Sequence, residues 1–376
     1  MLSITHQKHS QRIPALDGLR AISVSMVIVC HAMRLPSIKL PDRLGAAFVC
    51  GGNLGVRFFF VISGFIISKL LLTEIESHGK VDLRKFYFRR TFRILPAYYV
   101  FLCCVVVMSS LRIWGIETGN LIPPLSFTSN YIHTQSWSTS HSWSLSVEEQ
   151  FYLLWPVVLA LWGVRKSLAL AAIYFLTAPL IRVFVFVAFL RHAPGDLSEH
   201  FETAADALAI GCLLAGTSRF LEQSAGYKKL IRSKMFLASL LAILLAQNFI
   251  YNGTRYLFLA NLLVGISLSN ICIALTVHWC IVNSDAGISR VLSFSPIVTL
   301  GIISYSVYLW QEIFLSRTSP FHFPSVVILI LAAGAGSYLL VERPFLKLRR
   351  LLEPVIFRDR SSSVIKTGTV AVASSE

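Results

Sequence analysis

Charge is what this chain has least of. Of its 376 residues only 14% are Asp, Glu, Lys or Arg, and only 19 are acidic. A soluble globular domain carries nearer a quarter. With 55% hydrophobic residues and a mean hydropathy of +0.66, a water-soluble enzyme is excluded and an integral membrane protein is indicated. The net charge of +15 would suggest nucleic acid in a soluble protein. Here the positive-inside bias of membrane proteins explains it, and no nucleic-acid partner is expected. Paired cysteines are also missing. The seven (Cys30, Cys50, Cys103, Cys104, Cys212, Cys272 and Cys280) are odd in number, lie mostly in apolar stretches and form no C-x-x-C, so neither a disulfide framework nor a metal site is expected. No A-x-A-like cleavage site follows the first apolar stretch, so it reads as a retained span. No internal repeat is visible, and Asn252-Gly-Thr254 is read as a chance triplet.

What the chain does have is long apolar runs. Ten lie near 14–34, 53–73, 92–111, 148–164, 167–190, 203–217, 235–251, 257–282, 297–315 and 324–341. Most approach the roughly 20 residues that span a bilayer, and 203–217 is short enough for a partial span. The fold class expected is all-α: a polytopic bundle of about ten transmembrane helices. With the N-terminus inside, 23 Lys and Arg fall on inner segments and seven on outer loops, which sets both termini in the cytoplasm. The expected organisation is one membrane domain over 1–352, then a disordered cytoplasmic tail over 353–376, rich in Ser, Thr and Val beyond Pro354.

Four features carry chemistry. Arg20 and His31 share the first span; eleven helical positions put them on nearly one face, roughly 16 Å apart along the axis. Ionisable groups in hydrocarbon are costly and mark function, and an imidazole can take a proton near neutral pH; the plain alternative is a snorkelling Arg and a core His. Asp17, three residues before Arg20, is placed to pair with it and is expected, like Asp206, to partner a buried cation. Arg90 and Arg93, at i and i+3 where the third span begins, suit phosphate oxygens, although membrane anchors lie there too. Glu148 begins the fourth span on the outer side, where it could orient His31 or merely favour the helix dipole; Glu149 beside it is left open between a functional and a structural role. In the outer loop over 112–147, Trp137, His141 and Trp143 join aromatic faces to hydroxyls in a way that suits a sugar ring, or an interfacial aromatic belt.

The run Arg12-Ile-Pro-Ala-Leu-Asp-Gly-Leu-Arg20-Ala followed by His31 resembles the opening of the acyltransferase 3 family of membrane acyltransferases. Gly55-Val-Arg-Phe-Phe-Phe-Val-Ile-Ser-Gly-Phe65, the Arg-rich entry to the third span and Trp143-Ser-Leu-Ser-Val-Glu-Glu-Gln-Phe-Tyr152 are also similar. So are Asp206-Ala-Leu-Ala-Ile-Gly211, Ser304-Tyr-Ser-Val-Tyr-Leu-Trp310 and Val341-Glu-Arg-Pro-Phe345. The resemblance implies ten spans and transfer of an acyl group, commonly acetyl, from cytoplasmic acyl-CoA to a surface polysaccharide or glycolipid across a bacterial inner membrane. It also implies that His31 is catalytic with Glu148 beside it, and that Arg20, Arg90 and Arg93 handle the acyl-CoA. Three positions depart from the family pattern. Arg57 stands where Asp is frequent, Ala204 where an Arg often precedes the Asp of span six, and Gln311-Glu312 where a His often follows Trp310. The family's optional C-terminal esterase-like domain is not expected here. The rival reading is a transporter or flippase of a glycan lipid.

Overall fold

A computed structural model supplies the structure. It describes residues 12–33, 35, 42–132, 136–190, 197–250, 255–316, 318–322 and 324–357; the tail beyond 357 and the Asn252-Gly-Thr254 triplet lie outside them. The described residues form α-helices and short 3₁₀ and π segments, with no β-strand among them. The helices are α1 (Pro14–Ala32), α2 (Asp42–His78), α3 (Leu83–Ser110), α4 (Ile122–Ser126), α5 (Trp137–Ser140), α6 (Ser142–Val185), α7 (Phe201–Ala204) and α8 (Asp206–Leu221). After them come α9 (Ala225–Ile231), α10 (Lys234–Ile250), α11 (Arg255–Ala260), α12 (Ile266–Val282), α13 (Gly287–Leu292), α14 (Ser295–Phe314), α15 (Ser325–Ser337) and α16 (Arg343–Ile356).

Seven helical stretches are long and apolar enough to cross a membrane, or eight if the pair α9–α10, bent by 67°, forms one span. The shortfall from ten has physical causes. Trp137–Phe189 counts once but covers two of the expected runs; its 53 residues would reach far beyond a hydrocarbon core of about 30 Å. Gly163, at φ 69 and ψ 173, breaks it, a conformation that glycine adopts without a Cβ penalty. The 203–217 run forms α8, only 16 residues long.

Helix starts follow from local chemistry. Pro14 supplies a preset φ for the first turn of α1. Asp82 caps α3 by accepting from the Lys85 amide at 3.0 Å. Glycines set the packing of the inner helices. Gly64 on α2 faces the Leu208 backbone of α8, and Gly211 on α8 faces the Val61 carbonyl of α2, so a side chain at either would strike the other helix. This is the close approach that small residues allow when lipid supplies no hydrophobic drive. Gly301 brings α14 against Asp17 in the same way. α1 is thus held between α2 and α14. α16 runs through Ile356, past the boundary expected at 352, and its Glu353 accepts from Arg89 on α3.

Candidate functional site

The last turn of α1, the end of α14 and the α5–α6 junction converge on one carboxylate. Glu312 is 1% exposed. It accepts from the Ser140 hydroxyl at 3.0 and 3.1 Å, from the His141 backbone amide at 3.0 Å and from His141 Nδ1 at 2.6 Å. His31 Nδ1 lies 3.8 Å from the other carboxylate oxygen and 3.1 Å from Gln311 Oε1. Two acceptors beside Nδ1 favour the tautomer protonated there, which leaves Nε2 as the proton-accepting nitrogen of His31. Trp137 meets the His31 ring edge-on with centroids 5.4 Å apart and donates its Nε1–H to the Glu312 carbonyl at 3.0 Å. Tyr308 donates to the His141 carbonyl at 3.2 Å, while Phe101 and Tyr308 pack on the His141 ring. A charged group this buried is stable only when it is paired and hydrogen-bonded, and each of these contacts meets that need.

A second polar cluster lies along α1 toward its N-terminal end. Glu148 accepts from Ser63 Oγ at 2.8 Å and from the Tyr152 hydroxyl at 3.2 Å. Arg90 lies 4.7 Å above the Tyr152 ring and 5.7 Å from that of Phe86. Arg20 lies 6.0 Å from the Phe59 ring, its buried Nε without a partner, and it stands in electrostatic reach of Arg93, Glu148 and Asp17. Among the described residues, no hydrogen bond or ion pair from the protein occupies the guanidinium of Arg20, Arg90 or Arg93. Arg89 differs, since Glu353 holds it.

The eight residues singled out from sequence therefore divide. His31, Trp137 and His141 come together around Glu312. Arg20, Arg90, Arg93 and Glu148 form the second cluster. Trp143 joins neither: it packs edge-on against Phe60 and lines a narrow recess with Arg57, Asn53 and Ser198. The expected Glu148–His31 contact is corrected. Glu148 lies two helical turns beyond His141, about 10 Å further along α6, which takes it down to Arg20 and away from the ring. Glu312 fills that place. The pairing of Asp17 with a buried cation is corrected too: Asp17 accepts from Arg12 Nε at 2.6 Å, and the Arg12 side chain is 57% exposed. Asp206 does meet buried cations. Arg182 donates to it from α6, Asn270 Nδ2 donates at 2.8 Å from α12, and Arg57 Nη1 stands 3.9 Å away on α2. Two in-span arginines on other helices thus supply the positive charge that Ala204 does not.

Sequence reasoning missed Gln311, Glu312, Ser63 and Tyr152 as site residues. The signal for the first two was present, as an amide and a carboxylate side by side at the end of an apolar run. Outside the spans, the His200 ring bonds Glu202 and holds its carboxyl below the ordinary value. Burial near that carboxylate pushes Tyr131 up to about 12. Among the described residues no group of three or more His, Cys, Asp or Glu is arranged to hold a metal ion.

No solved structure matches the chain. A peptidoglycan O-acetyltransferase OatA of Listeria monocytogenes is 30% identical over 328 residues, which is 82% of this chain and 50% of the relative. An O-acetyltransferase OatA of Staphylococcus aureus is 29% identical over 379 aligned residues, 89% of this chain and 57% of the relative. The chain thus spans about half the length of these curated relatives. Residues 13–342 match the acyltransferase domain family over most of the sequence, and with the spans and the ordered motifs this establishes that the chain belongs to the integral membrane acyltransferase 3 family.

Proposed function

We propose that this chain is a membrane O-acyltransferase that moves an acetyl group from cytoplasmic acetyl-CoA to a hydroxyl of an extracytoplasmic carbohydrate. In this reading both termini lie in the cytoplasm of a bacterial cell and the His31 end of α1 faces outward. Peptidoglycan is the first acceptor to test, because the Listeria relative is named for it.

One observation carries the proposal: α1 joins two unlike polar sites. At one end stands a proton-accepting imidazole backed by a buried carboxylate. At the other stand guanidinium groups that rest on aromatic rings and make no hydrogen bond or ion pair among the described residues. The rise between Arg20 and His31, roughly 16 Å, suits a donor whose phosphates stay near the inner surface while its thin arm carries the thioester inward. Forked guanidiniums match phosphate oxygens. The acceptor hydroxyl gives its proton to His31 Nε2 and its oxygen attacks the thioester carbonyl. The C–S bond then breaks, and the CoA thiolate leaves with the proton returned from His31. Glu312 and Gln311 hold the Nδ1–H side and stabilise the imidazolium formed in between. Trp137 and His141 border the acceptor side, whereas Trp143, in its separate recess, is given no part in holding the acceptor. Glu148 then acts on the arginines instead of on the histidine: it offsets part of their mutual repulsion and steadies them for phosphate.

General-base catalysis contributes about 10²–10⁴-fold. His31→Ala should lose transfer by that factor while the protein inserts and folds as before. The check is mass spectrometry of cell-wall glycans from cells carrying either form, with protein level read by immunoblot. Full glycan acetylation by the variant would exclude His31 as the base.

A further inference from the structure

Beyond Arg90 and Arg93 the α3–α16 junction holds a second cationic group that the mechanism does not use. Glu353 on α16 accepts from Arg89 Nε at 2.9 Å. Lys85 Nζ lies 3.9 Å from the same carboxylate and Arg349 Nε lies 4.0 Å from it. Arg93 and Arg350 stand in electrostatic reach of Arg349. Three cations thus surround one acid, and two more stand beside the third. The carboxylate is also the most covered member: the Glu353 side chain is 18% exposed, against 38% for Arg89, 35% for Lys85 and 23% for Arg349. The acid sets the spacing from beneath and the cations face outward. The junction is fixed in place, since Phe88 packs on Phe357 with centroids 5.4 Å apart and Phe92 on Phe345 at 6.4 Å. Like charges gathered this closely repel one another, and an anion bound among them relieves that repulsion. Arg93 belongs to both groups, because it also reaches Arg20 and Arg90.

We propose that Lys85, Arg89, Arg349 and Arg350 form a separate phosphomonoester site that reads the 3′-phosphate of the donor nucleotide, while Arg20, Arg90 and Arg93 hold its diphosphate. This rests on the acyl-CoA reading above and adds a specificity determinant to it. A coenzyme A donor carries phosphate in two places, and the protein presents two cationic groups joined by one shared arginine.

The test uses the full chain in nanodiscs and measures binding of CoA and of 3′-dephospho-CoA by calorimetry. Losing one multiply hydrogen-bonded phosphate should weaken wild-type binding about tenfold. Arg349→Gln should remove most of that preference and leave 3′-dephospho-CoA binding unchanged. Equal binding of the two ligands by the wild type overturns the 3′-phosphate site and leaves the donor reading standing; this comparison needs no variant to fold. Binding of neither overturns the donor reading and this site with it. Nanodiscs of phosphatidylcholine alone and with phosphatidylglycerol separate the remaining source of phosphate. If Arg349→Gln lowers retained phosphatidylglycerol while the preference for CoA persists, the cluster serves lipid headgroups and the proposal is overturned.

Discussion

His31 gains its character from neighbours that are far away in sequence. Gln311 is 280 residues further along, and the Glu312 beside it reaches both His31 and His141. Glu312→Gln keeps the shape but removes the negative charge that stabilises an imidazolium. Turnover should fall about 10–100-fold, a hydrogen bond to a charged group contributing some 1.5–3 kcal/mol. Steady-state transfer assays at saturating donor measure it; unchanged turnover would reduce Glu312 to a packing role. Sequence singles out the histidine because an ionisable group in an apolar run is costly and needs a reason, and the two arginines of α3 because their i,i+3 spacing puts two forks on one face where the span begins. Their partners were not legible. Glu148 carries the stronger motif, but which carboxylate reaches a ring depends on how far along each helix it sits once the bundle has packed.

At the scale of elements, the apolar runs gave the helices and one of their divisions: the runs 148–164 and 167–190 part at Arg165-Lys166, next to Gly163, whose positive φ cuts a 44-residue helix in two. Contacts between helices were hidden, since the glycines that permit them look like any others. Gly64 and Gly211 bring α2 and α8 together with backbone facing backbone. Gly64→Ala should therefore force the helices apart and cost about 1–3 kcal/mol, the usual range for overpacking. A thermal melt of the detergent-solubilised protein checks this: the transition should fall by several degrees, and a melt equal to wild type would mean that the crossing is looser than described.

At the scale of the molecule, three of the four cations within apolar runs (Arg20, Arg57 and Arg182) belong to two of the polar clusters inside the bundle, and the fourth, Lys69, lies over the Phe65 ring. Arg182 and Arg57 both stand against Asp206, which is itself fully buried. Asp206→Asn removes the carboxylate to which the buried Arg182 donates, and breaking a buried pair in this way costs about 3–5 kcal/mol. That is enough to empty the folded state of a marginal protein. The variant should fail to accumulate in membranes, as judged by immunoblot of fractionated cells. Wild-type levels would show that water or lipid headgroups satisfy those arginines.

The same node bears on how the chain is made. Arg57 hydrogen-bonds Asn270, 213 residues later, and at 5–20 residues per second the ribosome needs roughly 10–40 s to supply that amide. During this interval the second helix holds a cation whose companions have not yet been synthesised. Some shelter other than lipid must accommodate it until the eighth and twelfth helices arrive.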